Sequence, residues 1–158
     1  MKKSSTIFLQ VVIVLIGMVT LAGMIRFPLT EGRAVNLDLF SIYLDPFIVY
    51  IYIASIPFFV ALYQAFTLLG YIGENKVFSL SSVKALRNIK YCSIIQGIFI
   101  VMAILYIRLF IKGDDPAGPT AIGILATFIS IVIATVAAVF EKLLQSAVDI
   151  KSENDLIV

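Results

Sequence analysis

Long apolar runs separated by short polar segments dominate the chain. Four runs hold at most one charged residue, and they cover residues 7–25, 46–72, 91–111 and 121–140. Each is about as long as a helix that crosses the hydrocarbon core of a bilayer. The second run, 27 residues, would be about 40 Å long as a helix, so it must tilt, bend or protrude, and Pro57 is the expected bend. The pattern predicts four membrane-spanning helices.

Turn and cap signals bound these runs. Asp45-Pro46 supplies an N-cap acceptor followed by a proline suited to the first helical position. Residues 113–119 read GDDPAGP, which predicts a tight turn that makes the third and fourth spans antiparallel neighbours.

Helical periodicity continues beyond the fourth run. The apolar positions after it are Phe140, Leu143, Leu144, Ala147 and Val148. Polar residues share the opposite face: Glu141, Gln145 and Asp149. We therefore expect an amphipathic helix that reaches about Lys151 and a polar tail, SENDLIV, after it.

The segment 73–90 between the second and third runs is polar and basic. Ser81 or Ser82 is the expected N-cap of a helix that continues into the third span. The basic residues on the first turns of that helix are Lys84, Arg87 and Lys90. They are interpreted either as an anchor to anionic headgroups or as a docking surface for a cytosolic partner.

Composition supports a membrane protein and narrows its chemistry. The 158 residues are 61% hydrophobic and 14% charged, against about 45–50% and 25% in soluble domains. A net charge of +2 does not favour direct nucleic-acid binding. One cysteine and no histidine remove the usual ligands and bases, so no catalytic, cofactor or metal site is indicated, and the protein is not expected to be an enzyme.

Basic residues predict the orientation. The N-terminus, segment 73–90 and the tail hold eight Lys and Arg residues, whereas the other two loops hold four. The positive-inside rule then places both termini in the cytoplasm. The expected fold is an all-α, up-down-up-down bundle of four transmembrane helices that forms one domain in the cell membrane. The alternative, a signal peptide cleaved near Ala22, suits the sequence less well because the apolar run is long and no polar cleavage region follows.

Uncharged polar residues lie within the spans, whereas acids and bases are missing at mid-span. Gln10, Gln64, Gln96 and Thr135 are predicted to lie at similar depth. They are interpreted as a polar layer of interhelical hydrogen bonds, or else as the pathway of a transport protein. Ser130, Ala134 and Ala138 recur every four residues and would allow close helix contact, within the bundle or in a homo-oligomer.

The tail and the segment 73–90 carry a resemblance to a known family. The four-span layout, the stretch KVFSLSSVKALRNIK and the ending Glu153, Asn154, Asp155, Leu156, Ile157, Val158 resemble the bacterial family called domain of unknown function 2975. Members commonly end in Glu-Asn-Asp-Leu-Thr-Ile, and Ile157 departs from the threonine. The resemblance implies no established activity. Members are often encoded beside a small helix-turn-helix protein, which implies a regulatory pairing with a cytosolic DNA-binding protein.

The sequence is compatible with two functions. The leading hypothesis is a regulatory or scaffolding membrane protein that binds a small cytosolic helix-turn-helix regulator. Its contact residues would be Lys84, Arg87, Lys90, Glu153, Asn154, Asp155 and Leu156. In a variant of this hypothesis the acidic tail instead folds back on the basic residues as a latch. The alternative is a small transport or permeation protein that uses the polar layer.

Overall fold

A computed structural model describes residues 3–30, 46–110 and 117–157. These residues form four α-helices: α1 Lys3–Thr30, α2 Pro46–Gly73, α3 Leu80–Phe110 and α4 Ala117–Ile157. Each is long and apolar enough to cross a membrane. The prediction of an all-helical chain with four candidate spans is therefore confirmed. The predicted cap at Asp45 and the first part of the turn at residues 113–119 lie outside the described residues.

The ends of α2 follow from local sequence. The helix begins at Pro46, as predicted, and it continues through Pro57. At its other end Asn75 has a φ of 60°, the left-handed conformation that asparagine tolerates. Lys76 N donates to Tyr71 O and Asn75 N donates to Ile72 O, which together form a Schellman motif that closes the helix.

Ser79 begins α3. Its hydroxyl oxygen accepts a hydrogen bond from the backbone N–H of Ser82 at 3.3 Å, as an N-cap residue does. The Ser79 hydroxyl also donates to Lys76 O at 2.8 Å, which ties the cap to the preceding turn. The expected caps, Ser81 or Ser82, were therefore wrong by two or three residues. Ser82 is fully buried, and its hydroxyl also donates to Lys76 O.

Each helix packs mainly against its neighbours in the sequence. Within the described ranges, extended contacts join α1 to α2, α2 to α3 and α3 to α4. A Cβ on Gly73 would lie 3.2 Å from Thr6, and one on Gly17 would lie 3.6 Å from Leu62, so α1 and α2 run in opposite directions. The helices thus form a row of neighbouring pairs, in which α1 and α4 share no extended contact among the described residues.

Two tyrosines fix α2 between its neighbours. Tyr52 donates its hydroxyl to Met24 O of α1 at 2.9 Å. Tyr50 donates to Phe99 O of α3, and its ring meets that of Phe99 edge to face with centroids 5.9 Å apart. Positions two residues apart lie about 200° apart around a helix, so these side chains leave α2 on opposite sides. Tyr50 and Tyr52 therefore connect α2 to both of its neighbours in the row.

The antiparallel contacts place four chain segments on one side of the row. These segments are the start of α1, the linker 74–79, the start of α3 and the end of α4, and we call this side the linker side. It holds a cluster of buried residues in the first turns of α3: Ser82, Val83, Ala85 and Leu86. The rest of α3 and the other helices expose large apolar side chains along their length, as helices in contact with lipid do.

A glycine sets the approach of α3 and α4 at the opposite side of the row. A Cβ on Gly123 would lie 2.6 Å from two side-chain carbons of Ile104. We expect Gly123→Ala to lower the free energy of unfolding by about 1 kcal/mol, because crowding costs about 1–3 kcal/mol and the gain in helix propensity returns about 1. Gly23→Ala is the matched control, since nothing lies within 4 Å of its Cβ position. Unfolding in detergent, followed by circular dichroism, should show the control to be as stable as the wild type or more stable. Equal stability of the two variants would contradict close packing at Gly123.

Candidate functional site

A carboxylate and two cations join α3 to α4 on the linker side. Arg87 Nε donates to Glu141 Oε1 at 2.8 Å, and Lys90 Nζ donates to Glu141 Oε2 at 2.7 Å. Arg87 and Lys90 are three residues apart, so they lie on one face of α3. The side chain of Glu141 is only 12% exposed, whereas that of Arg87 is 46% exposed. We call these three residues the clamp.

The clamp fixes the protonation state of its carboxyl group. Glu141 lies just beyond the apolar run 121–140, at the boundary of the span. Hydrogen bonds from Lys90 and then Arg87 lower the pKa of Glu141, against the opposing effect of burial. Glu141 therefore stays ionised near neutral pH, and the clamp carries one excess positive charge from its two cations and one anion.

The lowered pKa of Glu141 predicts the pH dependence of the clamp. The ionised carboxylate stabilises the folded protein fully above the pKa of about 4.3 that it has in the unfolded chain. This stabilisation is lost as pH falls through the lower pKa of the folded protein. Spin labels at Ser81 and Ser146, in a Cys92→Ser background, report the separation of α3 and α4. We expect their distance distribution to stay the same from pH 7.5 to about pH 5 and to broaden only below about pH 4. Glu141→Gln should remove this dependence. A transition near pH 6 would contradict the assignment.

The end of α4 extends beyond its neighbour. At 41 residues α4 is about 61 Å long, roughly twice the hydrocarbon thickness of a bilayer. Arg87 pairs with Glu141, and Gly97 lies beside Ser130, so the register places Leu80 level with about residue 148. The residues beyond that level have no part of α3 beside them. Residues 151–156 are all exposed, and Leu156 is 84% exposed.

The tail is helical rather than irregular. The expected helix end near Lys151 was six residues too early, because α4 continues to Ile157. No proline or glycine interrupts residues 141–157, and Gln145 Nε2 supports the helix by donating to Asp149 Oδ1, four residues on, at 3.0 Å. The acids Glu153 and Asp155 are thus presented on an exposed helical end.

The structure does not bring the tail and the basic residues together. Arg87 and Lys90 pair with Glu141, which lies 12 residues before Glu153, about 18 Å along α4. Within residues 3–30, 46–110 and 117–157, no ion pair joins Glu153 or Asp155 to the basic residues of α3. The latch variant therefore has no support here, because Arg87 and Lys90 already pair with Glu141. Lys84 is exposed on α3, one turn before Arg87.

The expected polar layer does not form one connected set. Gln10 Nε2 donates to Phe66 O of α2 at 3.1 Å, so one glutamine does bridge two helices. Thr135 donates to Ile131 O of its own helix, which satisfies the hydroxyl without a partner on another span. Gln96 has a buried Oε1 with no hydrogen-bond partner, and Gln64 makes no interhelical hydrogen bond among the described residues. The row arrangement separates Gln10 from Thr135, since α1 and α4 share no extended contact among the described residues.

Glu141 is the site residue that sequence reasoning missed. Periodicity placed it on the solvent-facing side of an amphipathic helix, together with Gln145 and Asp149. A usable signal was present: Glu141 directly follows the fourth apolar run, and Lys90 directly precedes the third. In antiparallel neighbours these two positions lie at the same level, so their opposite charges indicate a contact.

Comparison with known proteins gives a family and a close relative. The sequence model of the family described as "Protein of unknown function (DUF2975)" matches residues 29–158. A Bacillus subtilis (strain 168) protein described as "Uncharacterized membrane protein YoaS" is 46% identical over 161 residues, with 100% of each chain covered. No solved structure matches the chain.

Proposed function

The chain belongs to the DUF2975 family and is a membrane protein, and from this premise we propose that it acts as a regulatory scaffold that holds a soluble partner at the membrane. The proposed partner is a small cytosolic helix-turn-helix transcription regulator. The proposed topology is up-down-up-down in the cell membrane, with the linker side and both termini in the cytoplasm. The excess of Lys and Arg on the segments of this side supports the orientation.

One observation carries the proposal: α4 continues as a helix well beyond its apolar run and beyond the start of α3. The last two turns present Glu153, Asn154, Asp155 and Leu156 to solvent. An exposed helical end with acids beside an 84% exposed leucine is the kind of element that a groove on a partner recognises. Residues of the membrane domain do not need this extension in order to pack.

The clamp gives the proposed surface a rigid base. The contacts of Glu141 with Arg87 and Lys90 hold α4 against α3 at the level where α4 leaves its apolar run. A helix fixed at that level projects its end at a defined angle instead of moving freely. Lys84 and the exposed part of Arg87 would form a second, basic part of the partner surface. The chain would thus offer separate acidic and basic contacts.

The transport alternative has weaker support. It requires polar groups that line a path between helices, whereas Gln10, Gln96 and Thr135 lie in separate environments. The proposed scaffold function is not enzymatic and requires no catalytic residues. We therefore retain regulation as the proposed function and use transport as the competing outcome of its test.

Copurification from native membranes tests the proposal. The full chain, tagged at the N-terminus, should retain a cytosolic DNA-binding protein. The double variant Glu153→Lys, Asp155→Lys should lose it, while Glu74→Lys should retain it, because residue 74 is exposed on the linker side but lies outside the tail. Failure of the full chain to retain any such protein, together with solute flux in liposomes, would support transport instead.

A further inference from the structure

A groove of about 680 Å³ runs between α3 and α4 on one face of the row. Its floor consists of small buried residues: Ser93, Gly97, Ser130 and Ala134. Its rim includes exposed apolar side chains, among them Ile98, Met102 and Ile131, which are 52–58% exposed. A groove that opens sideways within a membrane-spanning region is open to lipid.

The groove has the depth of one leaflet. It begins at Lys90, on the linker side, and reaches Met102. Those 12 residues of helix span about 18 Å, and half of a 30 Å hydrocarbon core is about 15 Å. An acyl chain of the leaflet on the linker side would therefore fill the groove from the headgroup level to about the bilayer midplane.

The charged end of the groove suits an anionic headgroup. Arg87, Lys90 and Glu141 leave one excess positive charge, and Lys84 lies exposed one turn before Arg87. Arg87 uses its Nε toward Glu141, and a guanidinium has four further N–H donors on its terminal nitrogens. Basic residues between helices at the membrane boundary attract anionic lipid headgroups. A zwitterionic headgroup would gain less from this excess charge.

Two buried hydroxyls lie between the charged end and the apolar end. Ser93 is 7% exposed and Ser130 is 9% exposed, and both line the groove. Neither hydroxyl has a hydrogen-bond partner among the described residues, whereas Thr127 and Thr135 of the same groove donate to their own helix. Ser93 lies one turn from Lys90, at the depth at which the ester carbonyls of a phospholipid lie beneath its phosphate.

From this order of charge, hydroxyl and apolar surface we propose that the α3–α4 groove binds an anionic phospholipid of the leaflet on the linker side. The phosphate lies at Arg87 and Lys90, an ester carbonyl accepts from Ser93, and one acyl chain lies over Gly97 toward Met102. The site shares Arg87 with the basic part of the proposed partner surface, but it does not involve the tail, so its test needs no soluble partner.

Photolabelling of the full chain in nanodiscs tests the site. The discs contain phosphatidylcholine with a trace of a phosphatidylglycerol or phosphatidylcholine probe that carries a diazirine at the end of one acyl chain. The phosphatidylglycerol probe should label the segments 97–102 and 127–131 about fivefold more than the phosphatidylcholine probe, as one excess basic charge at a membrane surface predicts. Lys90→Gln should make the two probes equal, whereas Lys151→Gln, in the exposed tail, should change nothing.

A steric variant gives an independent check. Ala138→Phe places a large ring in the groove, and Val139→Phe places the same ring at the next position, which is 52% exposed and outside the groove. Only Ala138→Phe should reduce the labelling of both segments to the level found on α1. Equal labelling of the wild type by both probes, or unchanged labelling in Ala138→Phe, would overturn the proposal. The proposal would also be overturned if each nanodisc held two chains of the wild type but only one chain of the Ala138→Phe variant, because a second copy would then occupy the groove.

Discussion

Reversing the charge of Glu141 with Glu141→Lys is expected to separate α3 and α4 on the linker side. Three cations would then meet where Arg87 and Lys90 now approach one carboxylate at 2.7–2.8 Å. Repulsion replaces both ion pairs, and no other anion of the described residues forms an ion pair with either cation. The hydrophobic contacts deeper in the α3–α4 pair should persist, so the separation should be local.

Spin labels at Ser81 and Ser146, in the Cys92→Ser background, measure this separation. The wild type should give one narrow distance distribution, and Glu141→Lys should give a longer and broader one. Asp149→Lys is the matched control, because it makes the same charge change two turns further along α4 and outside the clamp. Combining Glu141→Lys with Arg87→Glu restores one anion between two cations and should recover much of the narrow distribution. An unchanged distance in Glu141→Lys would mean that apolar packing alone holds the two helices together.

Deleting residues 152–158 is expected to abolish partner retention without affecting membrane insertion. The deleted residues follow the last apolar run, and residues 152–156 are exposed, so the four spans should keep their packing. The free energy of insertion should therefore stay the same, and helix content should fall only by the residues removed. Retention should fall at least about tenfold, because a docked surface that loses its charged contacts loses several kcal/mol.

Carbonate extraction and copurification separate the two effects of this deletion. The truncated chain should remain in the membrane pellet in the same amount as the full chain. It should lose the cytosolic partner, whereas a control with Ser4 and Ser5 replaced by alanine at the other exposed terminus should keep it. Undiminished partner retention by the truncated chain would reduce the tail to a solubilising end. The proposed regulatory function would then lose its main structural support.

The spans could be predicted because a bilayer imposes a length and an apolar composition on each helix. One helix boundary could also be predicted. The second helix, α2, begins at Pro46, as the fixed φ and missing backbone N–H of proline suggest. The sequence does not show which of Ser79, Ser81 and Ser82 caps α3. All three can cap a helix, and the turn at Asn75 and Lys76 decides which hydroxyl reaches the free N–H groups.

The relative positions of the helices were the harder part. Depth along each span can be estimated from sequence, and on depth alone Gln10, Gln64, Gln96 and Thr135 form a layer. Contact also requires that the side chains point toward each other. In a row of four helices, each helix has at most two neighbours. The clamp escaped prediction for a related reason, since amphipathic spacing marks Glu141 as solvent-facing unless the antiparallel neighbour is considered.

The central claim is that the linker side faces the cytoplasm, and it can be measured directly. A chain with single cysteines at Ser152 or at Gly118, in the Cys92→Ser background, can be treated in intact cells with a maleimide that does not cross membranes. With both termini in the cytoplasm, the cysteine at position 118 should react in intact cells, and the one at position 152 should react only after the cells are opened. Labelling of position 152 in intact cells would place the tail outside and contradict the proposed binding of a cytosolic partner.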